Sequence, residues 1–159
     1  MEIIEVKENR RQYMELLILA DEQEEMIEKY IDTGGMYILC EGETVAECIV
    51  AEIGKDTAEI KSIATYEKYQ RRGYAKTLLK FVEEKYRWKY RKLQVVTGES
   101  PLTLPFYKKC GYRESGRIEN FFTDNSDHEI IEGGVKLKDM IYLEKDLNRE
   151  QEANEWKIS

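Results

Sequence analysis

The chain has 159 residues, 42% hydrophobic and 36% charged, a composition that excludes intrinsic disorder and fibrous repeats and suits one domain around one core. A net charge of −7 argues against a nucleic-acid partner, which wants a basic face, and mildly favours cationic or neutral small substrates. Cys40, Cys48 and Cys110 contain no CxxC pair and read as reduced thiols, while the single His128 excludes a multi-histidine metal site. The start, MEIIEVKENRR, lacks the basic-then-apolar order of a signal peptide, and no apolar run approaches membrane-spanning length. The expectation is a cytoplasmic protein with no membrane contact.

In chain order, EIIEVK at 2–7 reads as a short opening strand. Residues 8–31 turn helical, with Tyr13, Leu16, Leu17 and Leu19 before the acidic break ADEQEE and Met26, Tyr30 and Ile31 after it; this predicts two helices, closed by Gly34–Gly35. A hairpin follows, with strand 36–41, a turn near Gly42–Glu43 and strand 44–53; after the turn GKD, AEIKSIAT leads a strand over 57–65. In 73–88 the residues Ala75, Leu78, Leu79, Val82 and Tyr86 recur at helical spacing. KLQVVTG at 92–98 predicts a strand and Ser100–Cys110 a helix, in which Pro105 is tolerable only in the first turn. Strands are predicted at 112–122 and 138–147 around a loop, and the polar tail 148–159 reads as frayed. The order implies a single domain over 1–147, of class α+β, with a mixed and mostly antiparallel sheet of about seven strands. Only the connection through 73–88 requires a parallel crossover.

The turn QRRGYA, between the strand at 57–65 and the helix at 73–88, concentrates the chemistry. A helix N-terminus presents unpaired N–H groups and partial positive charge, and glycine lets an entering loop fold tightly enough for a phosphate to approach them. Gln70, Arg71, Arg72, Gly73, Tyr74, Ala75 and Lys76 form this turn, and Lys68 adds charge beside it. The motif is too short for a GxxxxGK[ST] loop and lacks the GxGxxG of a dinucleotide fold. An ordinary solvated basic loop is the plainer reading of these six residues alone.

The stretch IKSIATYEKYQRRGYAKTLL resembles motif A of the GNAT acyltransferase superfamily, a strand, then (Q/R)xxGx(G/A), then a helix. FYKKCGY at 106–112 is similar to that family's later (F/L)YxKxGF segment. The resemblance extends over roughly residues 2–147, and the later sequence looks like a bacterial branch of the family. It implies an acetyl-CoA cosubstrate and no metal. The pyrophosphate would lie on the backbone N–H groups of Arg71–Lys76. The pantetheine arm would run beside Ile63–Ala64–Thr65, where the family's strand carries a bulge and splays from the strand at 92–97.

The reaction so implied is direct attack by an amine on the thioester. It needs an amine freed of its proton, a donor for the oxyanion, and a proton for the departing thiolate. Tyr107 matches the family tyrosine that supplies the last, although a packed core aromatic is the competing reading. Glu59, on the strand before the turn, and Glu99, just past the strand at 92–98, are the candidate bases; for either one a solvated surface glutamate is the plainer reading. Many relatives carry asparagine seven residues before the tyrosine; here it is Ser100, which still caps a helix but reaches less far toward a cofactor.

In the family the acceptor is chosen by the early helices, here 8–35, and by the loop at 121–137. These carry Tyr13, Tyr30, Phe121, Phe122, Asp124 and Asp127, a wall that would suit a polyamine, an aminoglycoside or a lysine side chain, although apolar packing accounts for the aromatics equally well. The acceptor expected is a small-molecule amine. Two other readings stay open: an acyl-CoA-binding sensor without turnover, and an acetyltransferase for protein N-termini or lysines. Homodimers are common in the fold, and no residue here identifies an interface.

Overall fold

A computed structural model describes residues 1–147, so the polar tail 148–159 lies outside the described residues. They fall into two compact units, Met1–Arg91 and a second beginning at Lys92. Seven strands have four residues or more.

In the first unit, β1 (Glu2–Glu5) leads through a 3₁₀ turn at Arg10–Tyr13 into α1 (Met14–Ala20) and α2 (Glu24–Tyr30), the two helices expected around the acidic break. β2 (Gly35–Glu41), β3 (Glu43–Glu52) and β4 (Thr57–Thr65) follow, and β1 to β4 pair in sequence order, all antiparallel. α3 (Tyr74–Tyr86) is the last element of the unit, three residues shorter than the 73–88 its periodicity predicts.

Alternation sorts β2 and β3 onto two faces. Met36, Ile38 and Ile49 pack with Val6, Leu17, Ile27 and Ile31, so this face lies under α1 and α2. On the other face Tyr37 meets α3: its ring stands 5.3 Å from Phe81, and its hydroxyl lies 2.6 Å from that of Tyr86.

The β3–β4 register steps from Ile49↔Ser62 to Val50↔Ile60, which leaves Lys61 without a ladder partner. This one-residue bulge turns the side chains of β4 between its two ends. Glu59 stands opposite Ala51, Ser62 opposite Ile49 and Ala64 opposite Glu47, so all three share the face under α1 and α2.

Arg10, only 8% exposed, holds the segments around α2. Its guanidinium donates to the carbonyls of Val6, Ile31, Thr33 and Gly34 at 2.8–3.2 Å. Gly34 is required there by close approach: with φ 54, a Cβ would overlap the Val50 carbonyl oxygen.

The second unit contains β5 (Lys92–Gly98), α4 (Leu104–Lys109), β6 (Arg113–Ile118), α5 (Phe121–Asn125), the two-residue strands β7 (Ile131–Glu132) and β8 (Val135–Lys136), and β9 (Met140–Asp146). β9 pairs antiparallel with both β5 and β6, and Leu93, Val95, Ile141 and Leu143 are buried along the first pairing.

Two expectations are corrected here. The strand predicted over 112–122 stops at Ile118. Asn120 takes a left-handed turn (φ 55), its N–H bonds Asp139 Oδ1 at 2.9 Å, and Phe121–Phe122 begin a helix instead. The helix predicted from Ser100 starts four residues later, at Leu104, with Thr103 at its N-cap and Pro105 in the first turn, where its missing N–H costs nothing.

Candidate active site

The loop after β4 is tied down at both ends. Tyr66 N–H bonds the Val45 carbonyl at 3.0 Å, and a short 3₁₀ turn covers Glu67–Tyr69. The Gln70 side-chain amide then donates back to the Thr65 carbonyl at 3.1 Å, so Gln70 braces the loop against the end of its own strand.

Arg71 and Gly73 both take left-handed conformations, φ 67 and φ 84. Gly73 was legible in the sequence; Arg71 was not, since a non-glycine residue pays about 1–2 kcal/mol for that conformation. Such strain is kept where a loop must present its backbone in one particular way. A Cβ on Gly73 would meet no atom within 4 Å, so the space beside it is open.

Gly73 is the N-cap of α3, and the first ladder bond runs from Thr77 N–H to the Gly73 carbonyl at 3.0 Å. The N–H groups of Tyr74, Ala75 and Lys76 therefore precede the hydrogen-bonded part of the helix. Around them Arg71, Arg72 and Lys76 are exposed. Arg72 lies over the Tyr69 ring at 5.5 Å, and Tyr69 meets Tyr74 edge-on at 6.4 Å. Lys68 is engaged with Glu43 at 3.3 Å and with the same Tyr69 ring at 5.0 Å. The result is a glycine turn with free backbone donors under a cluster of cations, which suits a multiply charged phosphate ligand.

Upstream of the loop, Ile63 and Thr65 stand opposite Cys48 and Ala46, and Ala64, which is buried, opposite Glu47. Glu59 is half-buried and its carboxylate forms an ion pair with Lys61.

The structure brings Glu59 onto the same face as a carboxyl the sequence reading passed over, that of Glu47. Glu47 is fully buried, and Ser62 Oγ donates to its Oε1 at 2.6 Å. Burial pushes this carboxyl up to about 8, and the Ser62 bond offsets only part of the effect. Tyr30, on α2, lies beside them; burial, with Asp21 and Glu47 adding negative charge, raises its phenol well above the ordinary value, while Ser62 opposes the shift. The signal was a lone glutamate inside the apolar run TVAECIVA.

In the second unit Tyr107 is 5% exposed on α4, in edge contact with Phe106 and Tyr112, and the Tyr112 N–H bonds its carbonyl at 3.0 Å. Ser100 is buried. Its hydroxyl accepts from Leu102 N–H at 3.1 Å and its carbonyl from Leu104 N–H at 3.0 Å, so it shapes the turn leading into α4. Glu99 is exposed and lies 3.4 Å from Arg117, which also pairs with Glu114 and Asp139 at 2.8 Å.

Of the acceptor-side residues, Tyr13 and Tyr30 pack on the core under α1 and α2. Phe121 and Phe122 meet edge-on at 5.2 Å on α5. Asp127 bonds His128 at 2.7 Å, which lowers its carboxyl, and both line a cavity of about 240 Å³ with Phe122, Ser126 and Leu137. Asp124 is exposed.

None of the three cysteines forms a disulfide. Among the described residues no helix is long and apolar enough to cross a membrane, and no three His, Cys, Asp or Glu side chains are placed to hold a metal ion.

This architecture is that of an acyltransferase. The chain belongs to the GNAT family: the model of the acetyltransferase (GNAT) domain matches residues 32–114. It is 30% identical over 144 residues to the uncharacterized N-acetyltransferase YvbK of Bacillus subtilis, covering 89% of this chain and 93% of that one. A GNAT family acetyltransferase from Elizabethkingia anophelis with acetyl-CoA bound superimposes with a TM-score of 0.81 at 35% identity, over 91% of this chain and 98% of that one. A Bacillus subtilis acetyltransferase in complex with CoA gives a TM-score of 0.84 at 29% identity, over 92% and 98%. The expectation of a GNAT acyltransferase of class α+β holds.

Proposed function

We propose that this acetyltransferase carries the acetyl group of acetyl-CoA directly to a primary amine of a small molecule, within a ternary complex. The observation that supports this most is the Gln70–Gly73 loop, with two left-handed residues opening onto the free N–H groups of α3. The matched domain model runs through both compact units, so we read residues 1–147 as one functional domain, in a cytoplasmic protein.

In this reading the pyrophosphate rests on the backbone N–H groups of Arg71 to Lys76, with Gln70 bracing the loop. The pantetheine arm runs beside Ile63, Ala64 and Thr65, whose backbone also offers the donor for the oxyanion. The amine attacks the thioester carbonyl carbon, the C–S bond breaks, and Tyr107 protonates the departing sulfur; a phenol with an ordinary pKa near 10 holds its proton at neutral pH. Ser100 sets the turn that positions the helix of Tyr107. The carboxylates that the sequence offers for the base, Glu59 and Glu99, are each already engaged with a cation, Lys61 and Arg117 respectively.

The test is thiol release from acetyl-CoA against a panel of small amines, for wild type and Tyr107→Phe. Release with one amine class, lowered at least about tenfold in the variant, supports the reading. If no small amine gives release while CoA still raises the melting temperature, the chain is a sensor or acts on a protein amine.

A further inference from the structure

Amine acetylation has to remove a proton from an ammonium group whose pKa lies near 10.4, and a base does this best when its own pKa is near the working pH. Glu47 is unusual among the carboxylates of the described residues. It is 0% exposed, it sits in the middle of β3, and its Oε2 has no hydrogen-bond partner among the described residues. The Tyr30 hydroxyl, buried beside it, likewise lacks a well-aligned partner. Two neighbouring polar atoms left unsatisfied this deep call for a water or a ligand group to complete them.

We propose, building on the acetyltransferase reading above, that Glu47 is the catalytic base that takes the proton of the acceptor amine, with Ser62 holding its carboxyl and Tyr30 covering it. The ammonium gives one proton to Oε2, directly or through one water. The freed nitrogen lone pair forms the C–N bond to the thioester carbon, and the C–S pair leaves on sulfur. Tyr107 protonates that sulfur, and its phenolate regains a proton from the acetylated nitrogen. Glu47 then releases its proton to solvent.

The groups around Glu47 explain why it can serve. β4 presents Ser62 and also Glu59, which is paired with the bulged Lys61. α2 presents Tyr30, and Asp21 lies in the break before it. β2 contributes Cys40 and the 3₁₀ turn Tyr13, both packed on the same core cluster. α1 turns Leu16 and Leu17 inward and leaves Glu15 exposed, while Cys48, next along β3, points to the other face. The only cation among these is Lys61, already engaged by Glu59, so desolvation governs the carboxyl and holds it close to neutrality.

The experiment is the pH profile of kcat/KM, with acetyl-CoA and the amine that wild type acetylates fastest, for wild type, Glu47→Gln, Glu59→Gln and Ser62→Ala. Wild type should rise with pH through a limb near 8. Glu47→Gln should lose that limb and at least about a hundredfold in kcat, with KM for acetyl-CoA within about threefold. Glu59→Gln should keep the limb, displaced only to lower pH, because Lys61 is then released from its pair. Ser62→Ala should move it to higher pH, because the lost hydroxyl favoured the ionised carboxylate.

A Glu47→Gln enzyme with its limb intact and kcat within about threefold of wild type overturns the proposal and leaves the acetyltransferase reading standing. So does a limb that vanishes with Glu59→Gln. If Glu47→Gln does not fold, an unmoved limb in Ser62→Ala overturns the proposal instead. No turnover of any amine by wild type removes both readings together.

Discussion

The Ser62 hydroxyl donates a 2.6 Å hydrogen bond to Oε1 of Glu47 across the β3–β4 pair, just beyond the point where Lys61 bulges out of the ladder. Without that bulge the strand beyond it would present the opposite set of side chains, and Ser62 would face away from Glu47. The same geometric step gathers Glu59, Ser62 and Glu47 on one face, beneath the helix that carries Tyr30.

Glu47 should make stability pH-dependent. Its folded pKa, about 8, lies above the ordinary 4.5, so between those values the folded chain holds a proton that the unfolded chain has released. The contribution is fully present below pH 4.5 and is lost progressively as pH rises to about 8, on the order of 5 kcal/mol at 1.36 kcal/mol per pKa unit. Urea unfolding from pH 5 to 9 should show wild type losing stability relative to Glu47→Gln. A constant difference between the two would mean that Glu47 titrates as it does in the unfolded chain.

Arg10→Ala should cost about 3 kcal/mol, because it leaves the carbonyls of Val6, Ile31, Thr33 and Gly34 without their charged donor. Arg10→Lys should recover little of this, since an ammonium cannot reproduce the planar fork that spans them. The midpoint of urea unfolding reads both variants.

Gly34→Ala should be among the most damaging single changes in the first unit, at about 3 kcal/mol or more. The methyl would overlap the Val50 carbonyl oxygen and lie 2.7 Å from the Ala51 Cα, both backbone atoms that cannot step aside. A melting temperature near that of wild type would show that the α2–β2 junction shifts freely.

Gly73→Ala separates backbone conformation from space. The new methyl meets no atom within 4 Å, so its cost is that of the left-handed conformation, about 1–2 kcal/mol. Calorimetric titration with CoA should show affinity falling about tenfold, and Gly73→Asn, which tolerates the same φ, should recover part of it. Equal affinity in all three would detach the loop from CoA binding.

Where local rules dominate, the sequence was legible. The apolar stripe of α3, the glycine at its N-cap, the break between α1 and α2, and the placement of Pro105 in a first turn all follow from spacing and backbone chemistry within a few residues. The motifs QRRGYA and FYKKCGY pointed to the GNAT family, and the matched domain and relatives bear that out. Phe121–Phe122 misled because two aromatics after a strand read as more strand; the Asp139 bond to Asn120 N–H, across nineteen residues, turned them into a helix.

What only the tertiary structure decided lies on the face beneath α1 and α2. Glu47 and Arg10 are charged residues in sequence, and their burial depends on partners far along the chain: Ser62 for one, the carbonyls of residues 31 to 34 for the other. Arg71 takes its left-handed turn because the loop around it is anchored, by Gln70 to Thr65 on one side and by the start of α3 on the other. Propensity and periodicity are short-range and therefore written along the chain; desolvation of a carboxyl and the facing of two strands are set by which distant segments meet, and that is a property of the fold.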